Sequence, residues 1–307
     1  MSGVTNAPIL HIGYHKTGSS WLQKQLFPRA RGVDVVPRIE IRRQLLIPSP
    51  LAFDPEQARA SLSAGRSGRL VLSEEELSGN LHTGGLHGAF SLELADRLHR
   101  TFPEGQVVIF VREQKTMVAS AYKQYIKSGG TRGIRGFLTP AASPHKTPNF
   151  SLDFLAYDRL IEAYEKRFGR ENVSVFLYEE LASQPRELIA RLSETLGLEI
   201  DADAVSISAV NAGYRSGTLA VLRFLNLFHA REMPNATCIV NIPGFHGLLD
   251  LLAPQLDRLP FMGRVQELSD FLPPREVQAL EDRFRASNGR LEKSRALGLA
   301  RFGYALP

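Results

Sequence analysis

Short, wholly apolar stretches alternate along the chain with longer segments in which apolar residues recur every three or four positions. The short runs fall at residues 9–12, 70–72, 107–111 and 173–178, the last two rich in Val, Ile and Phe. Runs without regular polar interruption read as strands buried on both faces. Residues 20–27, 92–101, 115–127 and 152–168 read as the helices between them. Strand–helix alternation of this kind predicts an α/β fold: a doubly wound, mostly parallel central sheet with helices on both faces. Ligands on such sheets bind beyond the carboxyl ends of the strands, so the chemistry is expected in the turns that follow the runs.

After Gly197 the pattern is mostly helical, with a break at residues 243–247 and a final helix over 274–299. Leu219, Leu222, Leu225 and Phe228 recur at helical spacing and read as core. Two stretches read as surface loops: residues 78–88, which are glycine-rich, and residues 139–149, which contain three prolines. Neither repeats nor low-complexity tracts occur, and one domain over residues 5–307 is expected.

Composition narrows the function. Hydrophobic residues make up 43% and charged residues 22%, an ordinary globular balance. A net charge of +5 and a pI near 9.4 favour an anionic ligand. The basic residues are spread along the chain, which argues against a nucleic-acid-binding tail. Cys238 is the only cysteine, so an internal disulfide, a zinc ribbon and CxxC redox chemistry are excluded. The start of the chain lacks a basic, then apolar, leader pattern, and no apolar run approaches the roughly 18 residues of a membrane span. Cytoplasmic location and no membrane span are therefore expected.

The most informative string is IGYHKTGSSWLQ, residues 12–23. A strand runs into a turn containing Gly13 and Gly18, and a helix then opens at Ser19 and Ser20. Backbone N–H groups at a helix start attract anions; Lys16 adds a charge, and Thr17, Ser19 and Ser20 add hydroxyl donors. The loop suits phosphate or sulfate. It is not a Walker A loop, because Lys16 precedes Gly18 instead of following it. A second string, VVIFVREQKTMVASAYKQY, places Arg112 at the carboxyl end of a strand and Ser120 eight positions on, early in a helix. A guanidinium fork and a hydroxyl so spaced can converge on one phosphate.

The order K-T-G-[ST]-[ST]-W-L after a strand, with the Arg112–Ser120 interval, resembles the sulfotransferases that use 3′-phosphoadenosine-5′-phosphosulfate (PAPS). That resemblance implies a P-loop-like α/β fold, no bound metal, PAPS as donor and 3′-phosphoadenosine-5′-phosphate (PAP) as product. It assigns Lys16 to the bridging oxygen between phosphate and sulfate. Thr17, Gly18, Ser19 and Ser20 fall to the 5′-phosphate, and Arg112 and Ser120 to the 3′-phosphate. Trp21 and Tyr178 match positions near the adenine, and Arg215, in NAGYR at residues 211–215, matches a loop over the nucleotide. Gln114 departs from the pattern, since many members carry proline there. Residues 173–198 and the final segment also resemble the family.

Transfer to a hydroxyl requires a proton acceptor. The SEEEL string at residues 73–77 resembles an S-x-E-x-L pattern in the family and so implies Glu75 as the base. Alternation along an extended segment would turn Glu74 and Glu76 to the opposite side, whereas a solvated acidic helix start capped by Ser73 remains the alternative. His82 and His87 are candidate acceptor contacts, with ordinary surface histidines as the alternative. His11 reads as a packed, hydrogen-bonded residue, His15 as lining the site without chemistry, and Arg42 and Arg43 as a charged helix face. The expected partners are PAPS and a hydroxyl-bearing acceptor, carbohydrate or lipid among the open classes, with no nucleic acid. Two rivals stand beside this: a kinase-like phosphotransferase, and a module that binds PAPS or PAP without catalysis.

Overall fold

A computed structural model of the protein describes residues 6–140, 148–206, 213–230 and 238–307. Five strands form one parallel sheet: β1 (Ile9–Gly13), β2 (Val33–Val35), β3 (Arg69–Ser73), β4 (Gln106–Val111) and β5 (Val173–Leu177). Their order is β2-β3-β1-β4-β5, so β1 lies at the centre between β3 and β4. Leu10 pairs with Leu72 on one side and with Val107 on the other. The four expected strands are all present. β2 went unforeseen because its VDV sequence is short and only half-buried.

Alternation along each strand divides the core between the two faces of the sheet. Leu10, Ile12, Leu72, Val107 and Ile109 point into the larger core, beside Leu98, Val118, Leu160 and Leu280. These last four lie on the helices Ala89–Thr101, Gln114–Lys127, Tyr157–Phe168 and Pro274–Arg295. Ile9, Val71, Val108 and Phe110 point the other way, onto Trp21, Leu26 and the apolar face of the Pro185–Leu196 helix. Each such side chain contributes about 1.5–3 kcal/mol on burial, which is what holds helices to both faces.

Several expected boundaries shift. The helix expected over 20–27 is a single α-turn, Ser19–Trp21, followed by a π-helical turn, Leu22–Leu26, and a 3₁₀ turn that contains Pro28. The helix expected over 152–168 splits where Ala156 leaves the helical region (φ −79°, ψ 73°). Residues 78–88 are not a surface loop: Ser78 and Leu81 are buried, and short helical turns run from Leu81 to His87. Leu77 and Leu81, four apart, anchor that stretch in the core despite its glycines. Of the proline-rich stretch, residues 141–147 lie outside the described residues. Leu219 and Leu222 are buried as expected, whereas Leu225 and Phe228 are half-buried. The break near 243 ends at Gly244, and the Phe245–Asp257 helix starts directly after it. The last long helix ends at Arg295, short of 299. No helix among the described residues is long and apolar enough to cross a membrane.

His11 is fully buried between the rings of Phe27 and Phe110, with Nδ1 2.7 Å from Ser73 Oγ. Its Nε2 meets no partner among the described residues. Burial lowers its pKa from 6.5 to about 4, against the pull of Glu75 and Glu74. In the unfolded chain it protonates near pH 6.5, and in the folded protein only near pH 4. Stability should therefore fall as pH drops through that window, by roughly 3 kcal/mol from this residue. Urea unfolding across the window is expected to show about one proton less uptake for His11→Gln than for the wild type. Identical pH slopes would contradict the assignment.

Candidate active site

The turns that follow β1, β3 and β4 open into one cavity of about 880 Å³. A second depression, about 990 Å³, runs along the outer edge of β5 beside Arg191 and Arg295. It holds none of the Lys16-loop residues and neither Arg112 nor Ser120, so the first cavity is the candidate site.

Two glycines shape its loop. Gly13 has φ +92°, and a Cβ there would lie 3.0 Å from Glu75 Cα. Gly18 has φ +90°, and a Cβ there would lie 2.7 Å from a methyl of Leu181. Both positions need a residue that adopts the left-handed region and leaves room for its neighbour. Lys16, between them, also stands at φ 63°, which is uncommon for a residue with a side chain. Its Nζ donates to Gln124 Oε1 at 3.3 Å. Lys16, Gly18, Ser19 and Ser20 line the cavity. Thr17 does not: it is fully buried, and its hydroxyl donates to the Tyr14 carbonyl.

Arg112 and Ser120 line the same cavity. The Arg112 guanidinium lies 4.4 Å above the Tyr178 ring and donates to the Lys16 carbonyl at 3.0 Å. The Arg112 carbonyl accepts from the Tyr157 hydroxyl at 2.6 Å, which fixes the backbone at the end of β4. Gln114 is buried in a reciprocal amide pair with Asn288, at 2.7 and 3.2 Å. That pair ties the start of the Gln114–Lys127 helix to the last long helix and accounts for a polar residue there. Lys123, Gln124 and Lys127 extend the Ser120 face of the helix into the cavity. The sequence reading passed them over, although their spacing from Ser120 is that of one helix face. Burial lowers the Lys16 pKa, and the charges of Lys127, Arg112 and Lys123 lower it further. A bound anion would relieve that repulsion.

The three glutamates have distinct fates. β3 ends at Ser73, so strand alternation does not extend through Glu76. Glu74 is not solvated: it has no exposed surface, and it is clamped by Arg38 at 2.7 Å and Arg42 at 2.8 Å. It also caps the 3₁₀ turn Glu75–Ser78, the place expected for Ser73, whose hydroxyl instead meets His11. Glu75 turns into the cavity, where Gln23 Nε2 and Arg38 Nη2 donate to its oxygens at 3.0 and 2.8 Å. Glu76 lines the cavity too and pairs with Arg42 at 3.3 Å. Burial pushes the Glu75 carboxyl up, but His15, Arg38 and Gln23 outweigh it and hold the group below its ordinary range. Glu76 is pushed up, chiefly by burial. Arg38 and Gln23 carried no signal in the sequence.

The other candidates divide. His15 lines the cavity beside Glu75 and donates Nε2–H to the Gly79 carbonyl at 3.1 Å. In the neutral ring Nδ1 is then the acceptor. His82 lines the cavity with its pKa lowered to about 4, mainly by burial, whereas His87 is exposed and does not line it. Tyr178 lines it as well. Trp21 packs in the core, with Nε1 donating to the Ser206 carbonyl at 2.9 Å, and Arg215 donates to the Leu259 carbonyl; neither lines the cavity. Of the NAGYR string, Gly213 and Tyr214 do line it, while residues 211 and 212 lie outside the described residues. Among the described residues, no three His, Cys, Asp or Glu side chains are grouped so as to hold a metal ion.

Residues 87–202, which include Arg112, Ser120 and Tyr178, match the model of the sulfotransferase family. The match covers 116 of the 307 residues. No curated protein matches the chain in sequence. Among solved structures it is similar to a sulfotransferase from Alicyclobacillus acidocaldarius, at 20% identity and a TM-score of 0.49, over 67% of this chain and 86% of that one. It is also similar to mouse sulfotransferase SULT7A1, solved in complex with PAP, at 12% identity and a TM-score of 0.47, over 97% of this chain and 89% of that one.

The two neighbouring glutamates should separate on mutation. Glu74→Ala leaves two arginines facing a void and is expected to cost at least about 2 kcal/mol. That is less than the roughly 3–5 kcal/mol of a fully buried pair, because both arginines are more than a third exposed. Glu75→Gln should stay within about 1 kcal/mol of the wild type, since the amide oxygen still accepts a hydrogen bond. Equal losses in urea unfolding would contradict the division.

Proposed function

We propose that the protein is a PAPS-dependent sulfotransferase acting on an acceptor hydroxyl by in-line transfer. The observation that carries this reading is the convergence of Lys16, Ser19, Ser20, Arg112, Ser120 and Glu75 on one cavity. The family match covers only the Arg112–Ser120 half, so the Lys16 loop and Glu75 are separate support. In this reading Ser19, Ser20 and the N–H groups at the helix start hold the 5′-phosphate, and Arg112 and Ser120 hold the 3′-phosphate. Tyr178, already stacked under Arg112, offers a face to the adenine. Thr17 acts by bracing the loop, because it is fully buried with its hydroxyl on the Tyr14 carbonyl; Ser19 lines the cavity, and its longer 3.3 Å bond to the same carbonyl would be exchanged for the phosphate.

The chemistry balances with these groups alone. The acceptor oxygen attacks sulfur and loses its proton to Glu75 as the bond from sulfur to the bridging oxygen breaks. The departing electron pair stays on the phosphate of PAP, where Lys16 meets the new charge. Gln23 and Arg38 hold the Glu75 oxygens in place. The direct test is incubation with radiolabelled PAPS and a panel of carbohydrate, lipid and phenolic acceptors. Absence of transfer to every acceptor, with PAP still bound, would favour a non-catalytic module.

Removing Lys16 should act on the transition state more than on binding. Lys16→Ala is expected to lower kcat by on the order of 10²-fold or more, and Glu75→Gln by about 10²–10⁴-fold, with PAP affinity largely kept. A Lys16→Ala enzyme that keeps its kcat and only binds PAPS more weakly would remove the leaving-group role.

The 3′-phosphate should also be read. A charge-assisted hydrogen bond contributes roughly 1.5–3 kcal/mol, so adenosine-5′-phosphosulfate should bind at least about tenfold more weakly than PAPS. Arg112→Ala should erase most of that difference in a calorimetric titration. Equal affinities in the wild type would contradict the assignment.

A further inference from the structure

Of the sixteen large apolar side chains exposed among the described residues, eleven lie between Val221 and Val265. Single exposed apolar residues are ordinary, but such a concentration marks a contact surface. Phe224 is 60% exposed, Leu251 69% and Phe261 72%. They sit on elements that pack on one another: the helices Ser216–Leu225 and Phe245–Asp257 and the turn Pro260–Met262. Ile239, Val240 and Ile242 join them, held by backbone bonds to the carbonyls of Leu227 and Phe228.

The Phe245–Asp257 helix shows that this face is not an accident of poor packing. Leu249 and Ala253 point into the core, while Leu248, Leu251 and Leu252 form a second apolar sector facing outward. Asp250 and Asp257 fall on the far side, about 100–180° round the helix from those leucines at about 100° per residue. The apolar sector is thus wider than burial in this chain requires. At thirteen residues the helix is roughly 20 Å long, too short for the roughly 30 Å core of a bilayer. A helix of that length that meets a membrane lies in the plane of its surface.

The same elements reach the cavity. Leu219, Pro254 and Val265 line it, and Val265 is itself 39% exposed, so the apolar face runs to the mouth of the site. Arg223, on the Ser216–Leu225 helix, and Arg258, at the end of the Phe245–Asp257 helix, are exposed and add positive charge beside the face. Arg223 donates to the Tyr122 hydroxyl at 3.4 Å and Arg258 to Gln255 Oε1 at 3.2 Å, neither of which neutralises its charge. We propose that this face docks on an anionic bilayer and that the acceptor hydroxyl is presented to the cavity from that surface. An amphiphilic acceptor then keeps its apolar part in the membrane while its head group meets Glu75 and the sulfur. The acceptor class rests on the sulfotransferase reading; the docking does not. A second copy of the chain on this face would instead cover the entrance.

The test is flotation of the full chain with two kinds of vesicle, phosphatidylcholine alone and phosphatidylcholine mixed with phosphatidylglycerol. PAP titration runs in parallel as a check of folding. The wild type is expected to float with the mixed vesicles and much less with the neutral ones. Leu251→Glu combined with Phe261→Glu should lower partitioning at least about tenfold without altering PAP affinity. Arg223→Ala and Arg258→Ala should each lower it about fivefold at low salt, and these exposed positions carry the test should the double glutamate variant misfold. Absence of wild-type binding to either vesicle, or unchanged binding by the variants, overturns the proposal. So does a wild-type dimer that the double glutamate variant splits and that ignores vesicles. Vesicle binding by a chain that does not bind PAP supports the surface and contradicts the donor reading.

Discussion

The site depends on how closely the end of the central strand approaches the backbone after β3. Gly13 makes that approach possible, since a Cβ would press on Glu75 Cα at 3.0 Å and the φ of +92° is open to glycine. Through it, the loop bearing Lys16 and the turn bearing Glu75 face one space. β4 is drawn to the same point by the bond from Arg112 to the Lys16 carbonyl. Gly18 repeats the device on the other side, where the helix start lies against Leu181 beyond β5. Candidate groups from separate strands thus share a cavity because Gly13 lets backbone meet backbone and Gly18 leaves room for the Leu181 side chain.

The charges in that cavity are set against one another before any ligand arrives. Lys16, Arg112, Lys123 and Lys127 line the cavity together, and burial first, then the charges of the other three, lowers the pKa of Lys16. A multiply charged anion is the species that relieves their repulsion. The Arg38–Glu74–Arg42 clamp fixes the turn in which Glu75 stands. Buried ion pairs of this kind add little net stability compared with apolar packing. The one here fits a positioning role, since Arg38 bonds Glu74 and Glu75 together.

Much of this was legible in the chain because it rests on local pattern. Four strands announced themselves by apolar runs, and the anion loop by glycines, a lysine and hydroxyls in order. Arg112 and Ser120 stand out because their interval resembles that of the sulfotransferases, and a strand end followed by a helix lets the two converge; the structure places both on the cavity. What escaped was set by contacts distant in sequence. Glu74 reads like its neighbours until Arg38 and Arg42, some thirty residues away, are seen to bury it. The glycine-rich stretch after β3 reads as a loop until Leu77 and Leu81 are seen in the core. His82 and His87 look alike on paper, yet only His82 lines the cavity. Trp21 and Arg215 match in sequence but point to other partners, the carbonyls of Ser206 and Leu259.

The measurement that bears most directly on the central claim is a crystal structure of the protein with PAP. The account predicts electron density for the 3′-phosphate between Arg112 and Ser120 and for the 5′-phosphate against the helix start at Ser19 and Ser20. Lys16 should then have left Gln124 for the phosphate, with Glu75 facing it across the cavity. PAP bound elsewhere, along the outer edge of β5 for instance, or lying in the cavity with its phosphates away from both Arg112 and the Lys16 loop, would contradict the account.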